Sequence, residues 1–118
     1  MSRRQILILD NEIPILTMLD RYLNSKVKKV LLASNIEEAK EAILNNEINI
    51  VLSDINLGNG KTGFDFYNWV CSNGLFTGIK YIFMSANMSG ERIKKIKNLQ
   101  CLYIEKPFNL KKLDEIIE

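Results

Sequence analysis

Four apolar segments of the chain end in polar side chains that suit a divalent cation and a phosphoryl group. These side chains are Asp10, Asn11 and Glu12 after the first segment, and then Asp54, Ser85 and Lys106 at the ends of three later ones. Mg²⁺ prefers oxygen ligands, accepts one or two protein carboxylates and keeps several of its waters. A lysine adds positive charge for phosphate oxygens, a serine adds a hydrogen bond, and a carboxylate can attack phosphorus to form an aspartyl phosphate. The residue types therefore indicate a site for a cation and a phosphoryl group.

Each of these residues also has a structural explanation when it is taken alone. Asp54 can start a turn, because the segment 55–63 that follows it is rich in turn-forming residues. The other acids can cap helices, and Lys106 can be an ordinary solvated lysine. Their recurrence at four segment ends favours a functional cluster, and a purely structural ion-pair cluster is the alternative.

The apolar segments have the length and composition of buried strands. Five strands are predicted, over 5–9, 27–33, 50–54, 79–84 and 101–104, and lysines place the second at an edge. Helical patterns alternate with them, the first with Pro14 in its first turn and the others opened by the capping residues Ser34, Thr62, Ser89 and Asn109. This alternation predicts an α/β fold, a doubly wound five-stranded parallel sheet with helices on both faces. Ligand crevices form at the carboxyl ends of such strands, so the polar cluster is expected there.

The composition is that of one folded domain over residues 1–118. Apolar residues make up 47% and charged residues 25% of the 118 residues, which is enough for a hydrophobic core. The helical stripe of Phe66, Trp69 and Val70 is predicted to lie in that core. The net charge of +2 is too small to indicate a nucleic-acid partner.

Several functional classes are excluded by what the sequence lacks. The chain contains no histidine, which excludes histidine-based acid–base catalysis and histidine-ligated metals within it. Cys71 and Cys101 lack metal-type spacing and are expected to be reduced, buried or half-buried thiols. No apolar segment is long enough to span a bilayer, and the apolar run after the basic N-terminus stops at Asp10, too early for a signal peptide. The sequence therefore predicts a cytoplasmic protein without a membrane partner.

Four motifs resemble those of one known family. They are Ile6-Leu7-Ile8-Leu9-Asp10-Asn11-Glu12, Val51-Leu52-Ser53-Asp54-Ile55, Met84-Ser85-Ala86 and Glu105-Lys106-Pro107-Phe108. Together they are similar to the receiver domains of two-component response regulators, in the family's order and usual spacing over essentially the whole chain. The resemblance implies a single-domain receiver with a flavodoxin-like fold and the strand order 2-1-3-4-5.

The resemblance also implies a role for each polar residue. Asp54 is implied as the phosphoacceptor, which takes a phosphoryl group from a phosphohistidine on a sensor histidine kinase or a phosphotransfer protein. Asp10, Asp54 and the backbone carbonyl of Asn56 are implied to hold Mg²⁺. Ser85 is implied as the switch hydroxyl, and Lys106 as the group that binds the phosphoryl oxygens.

Three further expectations come from the same resemblance. Tyr103 stands where the family has a switch aromatic, although a surface aromatic of a strand is the structural alternative. Asn56 and Asn87 stand where the family tunes dephosphorylation by flanking the attacking water, although turn-forming asparagines are the alternative. The Lys106–Pro107 peptide is cis in the family.

The sequence departs from the family at two places. Asn11 stands where the family usually has a second acid that binds Mg²⁺ directly; an amide oxygen can still coordinate but brings no charge. Weaker Mg²⁺ binding is expected, and Glu12 could compensate, although the family usually points this residue elsewhere. In the loop after Asp54, Gly58 stands where the family frequently has a proline. Gly63 lies about one position away from where the family has its glycine. A more mobile loop is therefore expected.

Three functions are consistent with this pattern to different degrees. The first is a phosphorylatable switch with autophosphorylation and autodephosphorylation at Asp54. The second is a pseudo-receiver that binds a protein without phosphorylation, in which Asn11 would reflect the loss of metal dependence. The third is an enzyme on the same fold, either a phosphatase with an aspartyl nucleophile or a flavin protein, but the chain lacks the corresponding patterns after the first strand.

A basic C-terminal quarter is the candidate output surface. Its residues are Arg92, Lys94, Lys95, Lys97, Lys111 and Lys112. They form either a solvated face or a docking surface for a protein partner. The family often uses the fourth helix, fifth strand and fifth helix for output contacts or dimerisation, so a downstream protein partner and a homodimer are both expected possibilities, without direct nucleic-acid binding.

Overall fold

The structure, a computed structural model, describes residues 4–118, and within them five strands alternate with five helices. The strands are β1 (Gln5–Leu9), β2 (Lys29–Ala33), β3 (Ile50–Asp54), β4 (Lys80–Ser85) and β5 (Leu102–Glu105). The helices are α1 (Ile13–Leu23), α2 (Ile36–Asn45), α3 (Gly63–Ser72), α4 (Gly90–Asn98) and α5 (Leu110–Ile117). No helix in this described range is long and apolar enough to cross a membrane.

The strands form one parallel sheet in the order β2-β1-β3-β4-β5, which confirms the predicted fold and strand order. Residues of β3 are buried throughout, and those of β1 and β4 are buried apart from their first residues. The register pairs Leu9 with Ser53, Asp54 with Met84, and Ser85 with Glu105. Because the pairing is parallel, the carboxyl ends of these strands lie side by side, as the functional prediction required.

The sheet separates two apolar layers. On one face, Ile6 and Ile8 of β1 pack with the buried leucines of α1 and with Leu113 and Ile117 of α5. On the other face, the alternate residues of the same strand pack against α2, α3 and α4, whose buried anchors include Ala39, Ile43, Phe66, Val70 and Ile96. This alternation follows from the two-residue period of a strand, and it fixes which helices flank the site.

Aromatic rings fill the layer beneath α3. Tyr67 lies edge-on to Tyr81 at 5.1 Å between ring centroids, and Phe64 lies 4.7 Å from Phe83. The Tyr81 hydroxyl donates to the backbone carbonyl of Gly63 at 3.2 Å. These contacts attach the start of α3 to β4. Of the predicted stripe, Phe66 and Val70 are buried in this layer, as predicted, and Trp69 packs against it half-buried.

Most of the predicted helix caps are confirmed, but one is wrong. The Thr62 hydroxyl accepts from the Asp65 N–H and the Asp65 carboxylate accepts from the Thr62 N–H, a complete capping box, while Ser89 and Asn109 cap α4 and α5. The cap of α2 is Asn35 and not Ser34, because the Asn35 side chain accepts from the Glu38 N–H at 2.9 Å. Ser34 instead donates its N–H and hydroxyl to the Glu38 carboxylate.

The expectation of buried thiols holds for only one of the two cysteines. Both are free, and Cys101 is half-buried before β5, but Cys71 is exposed. Cys71 lies in the last turn of α3, one turn after the buried Tyr67 and next to the exposed Ser72. Its position at the end of the helix leaves its thiol open to solvent.

Candidate functional site

The ends of β1, β3 and β5 bring two acids and a lysine into direct contact. The Lys106 ammonium lies 2.7 Å from Asp10 Oδ2 and 3.2 Å from Asp54 Oδ2. A third carboxylate, that of Glu12, lies 3.7 Å from the same nitrogen. One ammonium group therefore faces three carboxylates at the edge of the sheet.

Burial and mutual repulsion change the proton affinity of this cluster. Asp10 is fully buried, and only 5% of Asp54 is exposed. Burial raises the pKa of Asp54, the negative charge of Asp10 raises it further, and the ammonium of Lys106 offsets only part of the rise. Burial disfavours the charged form of Lys106, but the hydrogen bond and charge of Asp10, with a smaller contribution from Asp54, outweigh it and raise the pKa of that ammonium. Lys106 therefore stays charged at neutral pH and partly neutralises the acids around it.

The same acids have the composition and spacing of a site for a hard divalent cation. One carboxylate oxygen from each of Asp10, Glu12 and Asp54 lies within 4.8 Å of the other two. Oxygens that coordinate one Mg²⁺ on opposite sides are about 4.2 Å apart, so small side-chain shifts bring this set to binding distance. The donor set is made only of oxygens, as Mg²⁺ requires. The residues present therefore fit the ion that the family resemblance implies.

Glu12, and not Asn11, supplies the third carboxylate of this cluster. The Glu12 N–H donates to Asp10 Oδ1 at 2.8 Å, which orients both residues, and the Glu12 side chain keeps 61% of its surface exposed. Asn11 is exposed and its amide nitrogen stands beside Gly58, 3.3 Å from where a side-chain carbon of that residue would lie. Glycine at 58 thus leaves room for the Asn11 side chain.

The loop after β3 is closed by its own backbone. Leu57 donates to the Lys61 carbonyl at 3.0 Å, Lys61 to the Gly58 carbonyl at 2.9 Å, and Gly63 to the Ile55 carbonyl at 2.8 Å. A side chain on Gly63 would collide with the backbone oxygen of Asp54 and lie 2.8 Å from the Ser53 hydroxyl. The displaced glycine is therefore the residue at which the start of α3 meets the end of β3.

The Ser85 hydroxyl is held by a residue that the sequence did not mark as part of the site. Arg92 Nη1 donates to Ser85 Oγ at 2.9 Å and to the Asn87 carbonyl at 2.8 Å. Ser85 Oγ also accepts from the Asn87 N–H at 3.0 Å and donates to the Asn87 carbonyl at 3.2 Å. Arg92 was predicted only as a member of the basic run. The available signal was its place in the first turn of a helix, because helical side chains lean toward the amino-terminal end and so toward the strand before it.

A cavity of about 420 Å³ gathers nearly all the predicted residues. Its walls are Asn11, Glu12, Asp54, Asn56, Gly58, Ser85, Ala86, Asn87, Arg92 and Lys106, and Asp10 contacts Lys106 beneath them. The Asn56 N–H points to Asp54 Oδ1 at 3.4 Å, and the Lys106–Pro107 peptide is cis, as the resemblance implied. Tyr103 lies elsewhere, half-buried on β5 against the layer that contains α4. The structure therefore brings together every predicted site residue except the switch aromatic.

Comparison with known families agrees with this geometry. The family model described as the response regulator receiver domain matches residues 6–118. This chain belongs to the receiver domain family. Receivers of this family act in two-component systems with histidine kinases or downstream effectors and bind Mg²⁺ at an acidic pocket, which here corresponds to the cluster of Asp10, Glu12 and Asp54.

Solved structures share the fold. A response regulator receiver domain protein from Methanospirillum hungatei is 29% identical, with a TM-score of 0.85 over 98% of this chain and 91% of that one. The chemotaxis protein CheY4 of Vibrio cholerae is 23% identical, with a TM-score of 0.84 over 98% and 99% of the two chains. The response regulator TrrA of Thermotoga maritima, solved with Mg²⁺ and BeF, is 22% identical, with a TM-score of 0.78 over 97% and 96%. No curated protein sequence matches the chain.

Proposed function

We propose that this receiver is a phosphoacceptor switch whose Asp54 takes a phosphoryl group from a phosphohistidine, with Mg²⁺ bound beside it. The observation that carries the proposal is the surroundings of the Asp54 carboxylate. It lies at a strand end and faces the cavity, with the Lys106 ammonium at 3.2 Å. Two further carboxylates are close enough to bind the same metal ion. A structural ion-pair cluster would not need a cavity of this size above the acid.

The transfer step follows from these positions. An Asp54 oxygen attacks the phosphorus of a phosphohistidine on the sensor histidine kinase or phosphotransfer protein. The phosphorus–nitrogen bond breaks, and the electron pair leaves with the imidazole, which takes a proton from solvent. Asp10, Glu12 and Asp54 are the side chains that would hold Mg²⁺, with the Asn56 carbonyl that the resemblance implies. The bound ion would supply positive charge between the Asp54 carboxylate and the incoming phosphoryl group.

Lys106 has two sets of partners in this proposal. Before transfer it neutralises Asp10 and Asp54, as the structure shows. Once the cation shares those carboxylates, the ammonium is free to bind a phosphoryl oxygen. Asn56 and Asn87 both line the cavity from which water would attack the aspartyl phosphate, so they are placed to tune autodephosphorylation.

The output step would begin at Ser85. Its hydroxyl moves toward the phosphoryl group and gives up its hydrogen bonds with the Asn87 carbonyl and Arg92. This changes the position of the start of α4, and the Tyr103 side chain on β5 changes its position in response. The face formed by α4, β5 and α5 is the proposed contact for a downstream protein partner or a second copy. The exposed Lys94 and Lys97 of α4 are proposed to give that face its positive charge. A cytoplasmic location, without membrane or direct nucleic-acid partner, is part of this proposal.

A second function is favoured by one observation. The neutral Asn11 brings no charge to the metal site. A pseudo-receiver that binds its partner without phosphorylation would have this feature. The intact Asp54, Ser85 and Lys106 favour the switch over this alternative.

Intact-mass spectrometry would test the proposal. The protein is incubated with Mg²⁺ and a small phosphodonor, and then with a phosphohistidine donor. We expect a phosphoryl-sized mass gain that needs Mg²⁺ and is absent in Asp54→Asn. A protein that gains no mass from either donor would contradict the switch and support the pseudo-receiver.

A further inference from the structure

We infer that Arg92 is a second cationic ligand of the phosphoryl group and shares its oxygens with Lys106. The inference deepens the proposed function and rests on it. Two residues thus divide the positive charge that the protein offers to phosphate, one at the end of β5 and one at the start of α4. No motif of the chain indicated the second.

Arg92 differs from the rest of the basic run in its contacts. It is half-buried and forms part of the cavity wall, whereas Lys94, Lys95 and Lys97 are exposed. Its Nη1 lies 2.9 Å from the Ser85 hydroxyl, the group proposed to bind the phosphoryl oxygen directly. The guanidinium is therefore one hydrogen bond away from the place where the phosphoryl group would stand.

The backbone at this point is fixed. Ser89 caps α4, and its hydroxyl accepts from the Arg92 N–H at 3.3 Å. Arg92 therefore lies in the first turn, where side chains lean back toward the strand before the helix. The amino-terminal end of a helix also carries partial positive charge, so the guanidinium and the helix end present the same sign to the cavity.

The hydrogen bonds around Ser85 show what must change when a phosphoryl group arrives. The hydroxyl has one proton, which it gives to the Asn87 carbonyl, and it accepts from the Asn87 N–H and from Arg92. If the hydroxyl moves to donate to a phosphoryl oxygen, Arg92 Nη1 keeps the Asn87 carbonyl as an acceptor at 2.8 Å, so the guanidinium stays beside the place that the phosphoryl group would occupy. Its bond to Ser85 is then weakened or lost, and phosphoryl oxygens are the acceptors that a guanidinium binds best.

The negative charges of the site favour a second cationic side chain beside the phosphoryl group. A phosphoryl group adds negative charge to a cavity already bounded by Asp10, Glu12 and Asp54. Asn11 brings no charge to the cation, so we expect weaker Mg²⁺ binding and, at low Mg²⁺ concentration, a site that the ion occupies less often. Lys106 and Arg92 are the cationic side chains that line the described cavity, and Asp54 belongs to the same wall.

Another role for Arg92 would give the opposite experimental result. If the guanidinium only restrained Ser85 in the unphosphorylated protein, its removal would free the hydroxyl and strengthen binding of a phosphoryl group. If it binds the phosphoryl oxygens, its removal weakens that binding. The direction of the change therefore separates the two roles.

Calorimetric titration of the full chain with beryllofluoride, a mimic of an aspartyl phosphate, measures this direction in the presence of Mg²⁺. We expect Arg92→Gln, which keeps hydrogen-bond donors near Ser85 but loses the charge, to bind about tenfold more weakly, as the loss of one charge-assisted hydrogen bond predicts. Arg92→Lys should recover part of the affinity, and Lys94→Ala on the exposed side of α4 should bind as the unsubstituted protein does.

Two controls make the result decisive. Titration with Mg²⁺ alone should be no weaker in Arg92→Gln, which shows that the acidic cluster and the fold are intact. Equal or tighter beryllofluoride binding by Arg92→Gln would overturn the inference and leave the proposed function standing. A failure of the unsubstituted protein to bind beryllofluoride at all would overturn the proposed function, and the role of Arg92 with it.

Discussion

Lys106 and a divalent cation compete for the same carboxylate oxygens. The ammonium lies 2.7 Å from Asp10 and 3.2 Å from Asp54, the two deepest acids of the cluster. We expect Lys106→Ala to bind Mg²⁺ about tenfold more tightly, because a positive charge a few ångströms from a dication is removed. The variant should still accept a phosphoryl group on Asp54, at a reduced rate, and lose phosphorylation-dependent partner binding.

Calorimetry for Mg²⁺ and intact-mass time courses for phosphorylation check both parts. Lys111→Ala, an exposed lysine of α5, is the matched control. Weaker Mg²⁺ binding by Lys106→Ala would mean that the ammonium supports the metal site rather than competing with it. Unchanged phosphorylation-dependent partner binding would remove Lys106 from the switch.

The number of acids beside Asp10 should set the strength of Mg²⁺ binding. Glu12 brings its carboxylate into the cluster, whereas Asn11 is neutral. We expect Glu12→Gln to weaken Mg²⁺ binding about tenfold and Asn11→Asp to strengthen it by a similar factor, since each changes the ligand charge by one. Glu41→Gln, on the exposed side of α2, should have no effect. Equal affinities for Glu12→Gln and the unsubstituted protein would show that Glu12 is only a salt-bridge partner of Lys106.

The raised pKa of Asp54 has a consequence for stability. Since burial and Asp10 favour the protonated form of Asp54 in the folded state, the ionised form lowers the free energy of unfolding at pH values above that pKa. The cost disappears as the pH falls and the carboxyl is protonated in both states. We therefore expect Asp54→Asn to be more stable than the unsubstituted protein at neutral pH in metal-free buffer. The difference should shrink on acidification, as measured by urea midpoints, and a less stable Asp54→Asn at neutral pH would contradict this.

At the scale of elements, the contact between the end of β3 and the start of α3 needs a glycine. A side chain at 63 would meet the Asp54 carbonyl and the Ser53 hydroxyl, both fixed in a central strand. We expect Gly63→Ala to lower the free energy of unfolding by about 2 kcal/mol or more. Gly90→Ala, at the start of α4 with open space around it, should be neutral or slightly stabilising. Similar urea midpoints for the two variants would show that the loop adapts.

Elements whose signals are local were predictable from the sequence. The strand Ile50–Asp54 and the capping box of Thr62 and Asp65 depend on residue types within a few positions, and both are as predicted. Ser34 and Asn35 are both capping residues, and only the backbone geometry selects Asn35. The contact between Arg92 and Ser85 depends on the orientation of a whole helix against the sheet, which no local pattern contains.

At the scale of the whole molecule, the acidic cluster joins distant parts of the chain. Asp10 follows β1 and Asp54 ends β3, so bound Mg²⁺ would hold together elements that are far apart in sequence. A ligand that binds only the folded state raises its stability by about 2.7 kcal/mol at one hundred times its dissociation constant.

We therefore expect the melting temperature to rise steadily with Mg²⁺ concentration, and to fall back when a chelator is added. Asp10→Asn should abolish most of the rise. A melting temperature that does not depend on Mg²⁺ while calorimetry shows binding would mean that the unfolded chain binds the ion equally well.

The fluorescence of the single tryptophan of the chain is expected to report on the packing between α2 and α3. Trp69 stacks on Phe66 at 6.0 Å between ring centroids, and the Lys40 ammonium of α2 lies 5.2 Å over its ring. It stands six residues beyond Gly63, about 9 Å along the axis of α3. Its emission therefore follows the packing of α2 against α3, and loss of that packing on unfolding will change the signal. A change in emission on Mg²⁺ or beryllofluoride binding would be evidence of motion transmitted along α3.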